Sequence, residues 1–189
     1  IFLRELVSNA CDAISKRDKL AAMSEAEAPD SYRVEIRANS TEGTLTISDN
    51  GLGMTADEVR KYINQVAFSG AYDFIEKYES QADGRDIIGH FGLGFYSAFM
   101  VAEKVVIQTL SYRPGAEAVR WESDGSSEYE LSGGSRTAPG TDIILYIDED
   151  SREFLEEPRL RSVLNKYCSF LPRPVFLLSL IHISEPTRP

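Results

Sequence analysis

Residues 1–23 carry two helical faces at once, and that doubling restricts what the rest of the chain can be. Leu3, Val7, Ala10 and Ile14 recur at helical spacing and make an apolar stripe that needs a sheet or another helix to cover it. On the other side Glu5, Asn9 and Asp12 are spaced i, i+4, i+7, which at about 100° per residue confines them to an arc of roughly 60°. A wet helix face more often pairs Lys with Glu. Two explanations stay open on these residues alone. One is a solvated face of this composition. The other is a helix held between a sheet and a polar ligand, with a carboxylate placed to act on water and a carboxamide oxygen placed to hold a cation. Mg2+ suits the second, because it keeps most of its waters and takes only one or two protein oxygens beside phosphates.

The 189 residues, 42% of them hydrophobic and 26% charged, suffice for one well-buried domain. A formal charge of −10 argues against general nucleic-acid affinity, which needs a basic face, but a local backbone site can still bind one nucleotide. Cys11 and Cys168 lack metal-ligand spacing and read as reduced structural thiols of a cytoplasmic protein. The longest apolar run, 174–181, is too short to span a membrane. The first residues are charged and helical, unlike a signal peptide, and they open without an N-cap or an initiator Met. The chain is therefore expected to be part of a longer protein, truncated at its N-terminus. Residues 179–189 have no turn logic or periodicity joining them to what precedes, and are read as a non-native tail.

After an acidic connection at 24–30, strands are expected at 32–37 and 44–48 around the turn Thr41-Glu42-Gly43. A helix starts after Thr55, a hydroxyl cap followed by early acids. Residues 67–94 set one amphipathic piece among Ser/Gly and polar stretches and read as a mobile cover. A helix at 96–102 is followed by four strands, 104–110, 118–122, 128–131 and 142–147, expected as a meander. A helical stretch, 151–170, and a short strand at 175–178 come last. Helices and antiparallel strands without βαβ alternation predict an α+β layer structure with helices on one sheet face.

Two glycine motifs complete the pattern. Asp49-Asn50-Gly51-Leu52-Gly53-Met54 is either a simple turn after a strand or a ligand site. In the second case a buried Asp accepts from a base amino group, worth roughly 1.5–3 kcal/mol, the glycines admit a flat ring, and Met54 touches it. Gly89-His90-Phe91-Gly92-Leu93-Gly94-Phe95 is either a hinge or an anion nest at a helix N-terminus. It is neither a Walker loop nor a Rossmann fingerprint, since no Gly-Lys-Ser/Thr follows and no strand precedes it.

In this order the three motifs resemble the ATP-binding domain of the GHKL superfamily, which groups the ninety-kilodalton heat-shock chaperones with type II topoisomerases, mismatch-repair ATPases and sensor histidine kinases. The stretches 2–10 and 88–97 are similar to the heat-shock chaperone branch, bacterial type, and Gly140-Thr141-Asp142-Ile143 fits its later nucleotide-contacting strand. The resemblance implies a two-layer α/β sandwich (the Bergerat fold) over 1–178 with a mostly antiparallel mixed sheet, a lid at about 67–94, ATP or ADP with Mg2+ as cofactors, and ATP hydrolysis. By motif position it implies Glu5 as the general base and Arg4 as its restraint in the resting state. Asn9 would bind Mg2+ and phosphate oxygens. Asp49 would hold the adenine amino group, with Thr141 supporting it through water and Gly51, Gly53 and Met54 lining the base pocket. Asp12 would sit near base and ribose, and Gly92, Leu93, Gly94 and Phe95 would cradle the phosphates.

The same resemblance implies a cytoplasmic chaperone that acts on unfolded or metastable client proteins, works as a homodimer at full length, and binds neither nucleic acid nor membrane. A topoisomerase or mismatch-repair ATPase shares the Glu-x-x-x-Asn logic but fits the acidic charge and the glycine loop less well. A sensor kinase has no need of Glu5 to activate water. A nucleotide-binding piece without hydrolysis is the remaining alternative. One departure stands out: Phe68 occupies a position where many relatives carry a phosphate-proximal lysine.

Overall fold

The computed structural model describes residues 2–64, 93–179 and 183–186. Helix α1 spans Phe2–Ala22. The hairpin β1 (Val34–Asn39) and β2 (Thr44–Asp49) follows, turning where Gly43 takes φ +71°. Helix α2 (Ala56–Val59) starts on a full capping box. Thr55 accepts from the Glu58 backbone, and the Glu58 side chain accepts from the Thr55 backbone. A π-type turn, Arg60–Asn64, extends it. After residue 92 come α3 (Leu93–Tyr96), a 3-10 turn (Ser97–Met100), and strands β3 (Ala102–Leu110), β4 (Val119–Ser123), β5 (Tyr129–Gly133) and β6 (Gly140–Ile147). A 3-10 segment (Glu149–Leu155), helix α4 (Glu157–Tyr167), and strands β7 (Val175–Ser179) and β8 (Ile183–Pro186) complete it.

The strands form one sheet in the order β5-β4-β3-β6-β2-β1-β7-β8. All neighbours are antiparallel except β1 and β7, which run parallel. The expected meander holds for β3, β4 and β5 but not for β6, which returns to the far side of β3 and joins it to β2. Burial explains the return. β5 has no buried residue, as suits an edge, whereas β6 buries Leu145 and Ile147 and needs strands on both sides. The helix expected at 96–102 is also earlier and tighter, because Ala102 already belongs to β3. β8 lies within 179–189, the stretch read as a tail, and pairs irregularly with β7 at the sheet edge.

Alternation decides the two sheet faces. Val34, Ile36, Leu45, Ile47, Val105, Ile107, Trp121 and Leu145 point to one side, where α1 covers them with Leu3, Val7 and Ile14. The other side carries charge: Lys104 pairs with Glu122 at 3.2 Å and lies 4.1 Å over the Tyr146 ring, and Arg33 and Arg37 flank Glu35. The class is α+β, with helices on one face. Cys11 and Cys168 are buried free thiols, and burial pushes both up to about 11, which keeps them unreactive.

Candidate functional site

A cavity of about 350 Å³ lies between α1 and the sheet. Its floor is a register consequence. On the helix-facing side, β2, β6 and β3 set Ile47, Ile143 and Ile107 side by side, and one pleat further Asp49, Thr141 and Thr109. The first row lines the cavity with carbon, while Asp49 and Thr141 line its polar end. The wall opposite is the polar side of α1, with Asn9, Asp12, Ala13 and Lys16; Leu52, Gly53, Met54, Ile63 and Phe95 complete the rim. A flat, mostly apolar ligand with a hydrogen-bond donor at its inner edge matches this shape and chemistry.

The loop 50–54 is held against both layers, and two glycines permit it. A Cβ on Gly51 would lie 2.6 Å from the Ala13 backbone of α1. Gly53 takes φ +65°, and a Cβ there would lie 1.7 Å from the Leu110 carbonyl. Leu52 donates to Ala13 O at 3.3 Å and accepts from Tyr112 N at 2.8 Å, bridging helix and sheet.

Asp49 is 7% exposed. Its Oδ1 accepts from the Gly51 backbone at 2.8 Å. Burial pushes the carboxyl up to about 7, while the Gly51 N–H, the Arg136 charge and the Thr141 N–H oppose that rise and Asp142 adds to it. Arg136 sits behind Asp49 and donates to the Asp49 carbonyl at 3.1 Å and to Asp142 at 2.7 Å. Asp142 also accepts from Ser48 at 2.5 Å. A buried cation, Arg17, donates to Asn50 O at 2.7 Å and to Glu27 O at 3.1 Å.

The structure sorts the sequence-predicted residues into groups. Asn9, Asp12, Asp49, Gly53, Met54, Phe95 and Thr141 line the one cavity. Asp12 does so from an exposed position, paired with Lys16 at 2.8 Å. Gly51 faces α1 and serves Asp49 through its N–H. Glu5, one turn before Asn9, is 5% exposed and lies outside the lining. Burial raises its carboxyl above the usual range, opposed by the Arg4 charge. Arg4 itself is exposed. Leu93 and Gly94 open α3, while Gly92, Phe68 and most of 67–94 lie outside the described residues. Sequence reasoning missed Thr109, Arg136 and Arg17. Thr109 had a signal: it is the polar residue in the inward phase of Val105, Ile107, Thr109.

Among the described residues no cluster of three or more His, Cys, Asp or Glu could hold a metal. Asn9 lines the cavity beside the carboxylate residues Asp12, Asp49 and Glu58.

Residues 2–130 match the family described as "Histidine kinase-, DNA gyrase B-, and HSP90-like ATPase". The chain is 56% identical over 175 residues to the chaperone protein HtpG of Bacteroides fragilis and 50% identical over 177 residues to that of Porphyromonas gingivalis, covering 93% of this chain in both cases. It is 42% identical over 179 residues, 94% of the chain, to the mitochondrial heat shock protein 75 kDa of Bos taurus. The chain spans about a quarter of the length of these curated relatives, 25% in each.

Proposed function

The chain belongs to the histidine kinase-, DNA gyrase B- and HSP90-like ATPase family, and from that premise we propose that residues 1–178 bind ATP and ADP as the ATPase domain of a molecular chaperone. The observation that carries this reading is the row Asp49–Thr141 at the end of an isoleucine floor. A planar base fills the apolar part, and its amino group donates to the Asp49 carboxylate. Asn9 and Asp12 on α1 flank the sugar and phosphate side.

When bound, ATP with Mg2+ supplies the phosphoryl group and the charge neutralisation that its transfer requires. The chain's own groups do the rest. Asn9 offers its amide oxygen to the cation. Glu5, a buried carboxyl whose proton affinity is already raised, accepts a proton from the attacking water as general base. Arg4 steadies Glu5 in the resting state. Leu93, Gly94 and Phe95, at the start of α3, present backbone N–H groups to the phosphates.

The relatives' printed names support a chaperone role. Its substrates are unfolded or metastable client proteins, and at full length it acts as a cytoplasmic homodimer without nucleic-acid or membrane partners. No helix among the described residues is long and apolar enough to cross a membrane. The test is calorimetric ADP binding, with and without Mg2+, to the native chain and to Asp49→Asn. The native chain is expected to bind and the variant to lose most of its affinity. Equal affinity would overturn the adenine assignment.

A further inference from the structure

Thr109 is fully buried, at 0% exposure, and does not line the cavity. Three groups nevertheless meet at its hydroxyl. The Met54 backbone N–H donates to Oγ1 at 2.9 Å. The Gly140 carbonyl lies 3.1 Å away and can only accept. The Thr141 hydroxyl lies 2.9 Å away and can do either. Thr109 has one proton to give. Only one assignment makes all three contacts hydrogen bonds: Thr109 donates to Gly140 O, and Thr141 donates to Thr109. Burial favours that assignment, because an unmade hydrogen bond in a dry site is costly.

The consequence appears at the cavity. With its proton committed inward, Thr141 shows only lone pairs to the ligand. Asp49, beside it across the β2–β6 pair, is also an acceptor when ionised. The polar end of the pocket is thus acceptor-only, and it matches a ligand edge or a bridging water that brings hydrogens. A purine with an oxo group at the corresponding position brings a lone pair instead.

We propose that Thr109 is a specificity-determining positioning residue, which fixes the direction of the Thr141 hydroxyl and so makes the pocket prefer 6-amino over 6-oxo purines. The inference rests on the nucleotide-binding reading above. Removing the Thr109 hydroxyl frees the Thr141 proton to turn toward the ligand, where it can meet an oxo group. It also unties Met54, but a looser rim weakens both purines alike, whereas a turned hydroxyl changes their ratio.

The test measures ADP and inosine diphosphate binding by calorimetry on the native chain, Thr109→Val and Thr109→Ser. The native chain is expected to prefer ADP. Thr109→Val should narrow the ADP-to-inosine-diphosphate ratio about tenfold, the worth of one hydrogen bond to a neutral group. Thr109→Ser should keep the native ratio. If valine prevents folding, Thr109→Ala makes the same comparison. Equal loss for both nucleotides in the hydroxyl-free variant, or a serine variant that also loses the ratio, would overturn the proposal. A native chain that binds neither nucleotide would instead overturn the nucleotide-binding reading, leaving no ratio for Thr109 to set.

Discussion

Arg136 reaches across 87 residues of sequence to donate from Nη2 to the main-chain carbonyl of Asp49 at 3.1 Å, while its Nη1 closes on Asp142 at 2.7 Å. The guanidinium stands behind the strand end, so it holds the Asp49 backbone and favours the ionised carboxylate without occupying the ligand's place.

The first expected outcome concerns Asp49 and pH. Its carboxyl titrates near 3.8 in the unfolded chain and is pushed up to about 7 by burial in the fold. Between those values the folded chain holds the proton more tightly. Stability from this group is therefore fully present below the unfolded value and is lost as pH rises toward 7, by on the order of 3–4 kcal/mol. Thermal melting across that range should show the loss in the native chain and not in Asp49→Asn.

Ligand binding follows the opposite slope. An amino donor prefers the ionised carboxylate, so affinity should fall as pH drops below about 7, by up to tenfold per pH unit. Adenosine is the probe, since the terminal phosphate of ADP titrates in the same range. A flat profile would separate Asp49 from the bound base.

Arg136→Met removes the charged hydrogen-bond partner of a half-buried Asp142 and should cost about 1.5–3 kcal/mol in urea denaturation. It should also move the acid limb of adenosine binding to higher pH. The charges that then face Asp49 are Arg17 from α1 and Asp142 from β6. Arg136→Lys keeps the charge but loses the fork; it should destabilise the fold while leaving the limb near its native position. If both variants bind with the native pH profile, Arg136 is a structural tie alone.

On the proposed function, Glu5→Gln in the full-length protein should keep ADP affinity while turnover falls roughly 10²–10⁴-fold. The buried carboxyl already resists ionisation, so its neutral isostere should melt no lower than the native protein. Turnover at the native level would remove Glu5 from the role of base.

What the sequence made legible was local. The two faces of α1 and the alternation of β1, β2, β3 and β4 are written in neighbouring residues, which made the polar residues on α1 and in the 49–54 loop candidates, and the family resemblance gave them their expected roles. The position of β6 was not, because Leu145 and Ile147 read the same whether their neighbour is β5 or β3. Thr109 and Arg136 escaped for a related reason. Their roles are contacts with Thr141 and Asp49, 32 and 87 residues away, and become visible only once the strand register is known.

Two glycines with similar backbone angles separate backbone strain from crowding at the loop under the ligand. Gly53 has φ +65° and Gly115 has φ +76°, but a Cβ on Gly53 would lie 1.7 Å from Leu110 O, whereas nothing lies within 4 Å of one on Gly115. Both alanine variants strain a left-handed backbone by about 1 kcal/mol. Only Gly53→Ala must also push the 50–54 loop off β3, breaking the Met54-to-Thr109 and Tyr112-to-Leu52 hydrogen bonds. It should therefore destabilise by at least about 3 kcal/mol and abolish adenosine binding. Gly115→Ala should bind as the native chain does. The pair is measured by urea denaturation and calorimetry side by side. Equal losses would mean that the loop relaxes freely, and that the close approach of Gly53 to β3 is not what holds Met54 at the pocket rim.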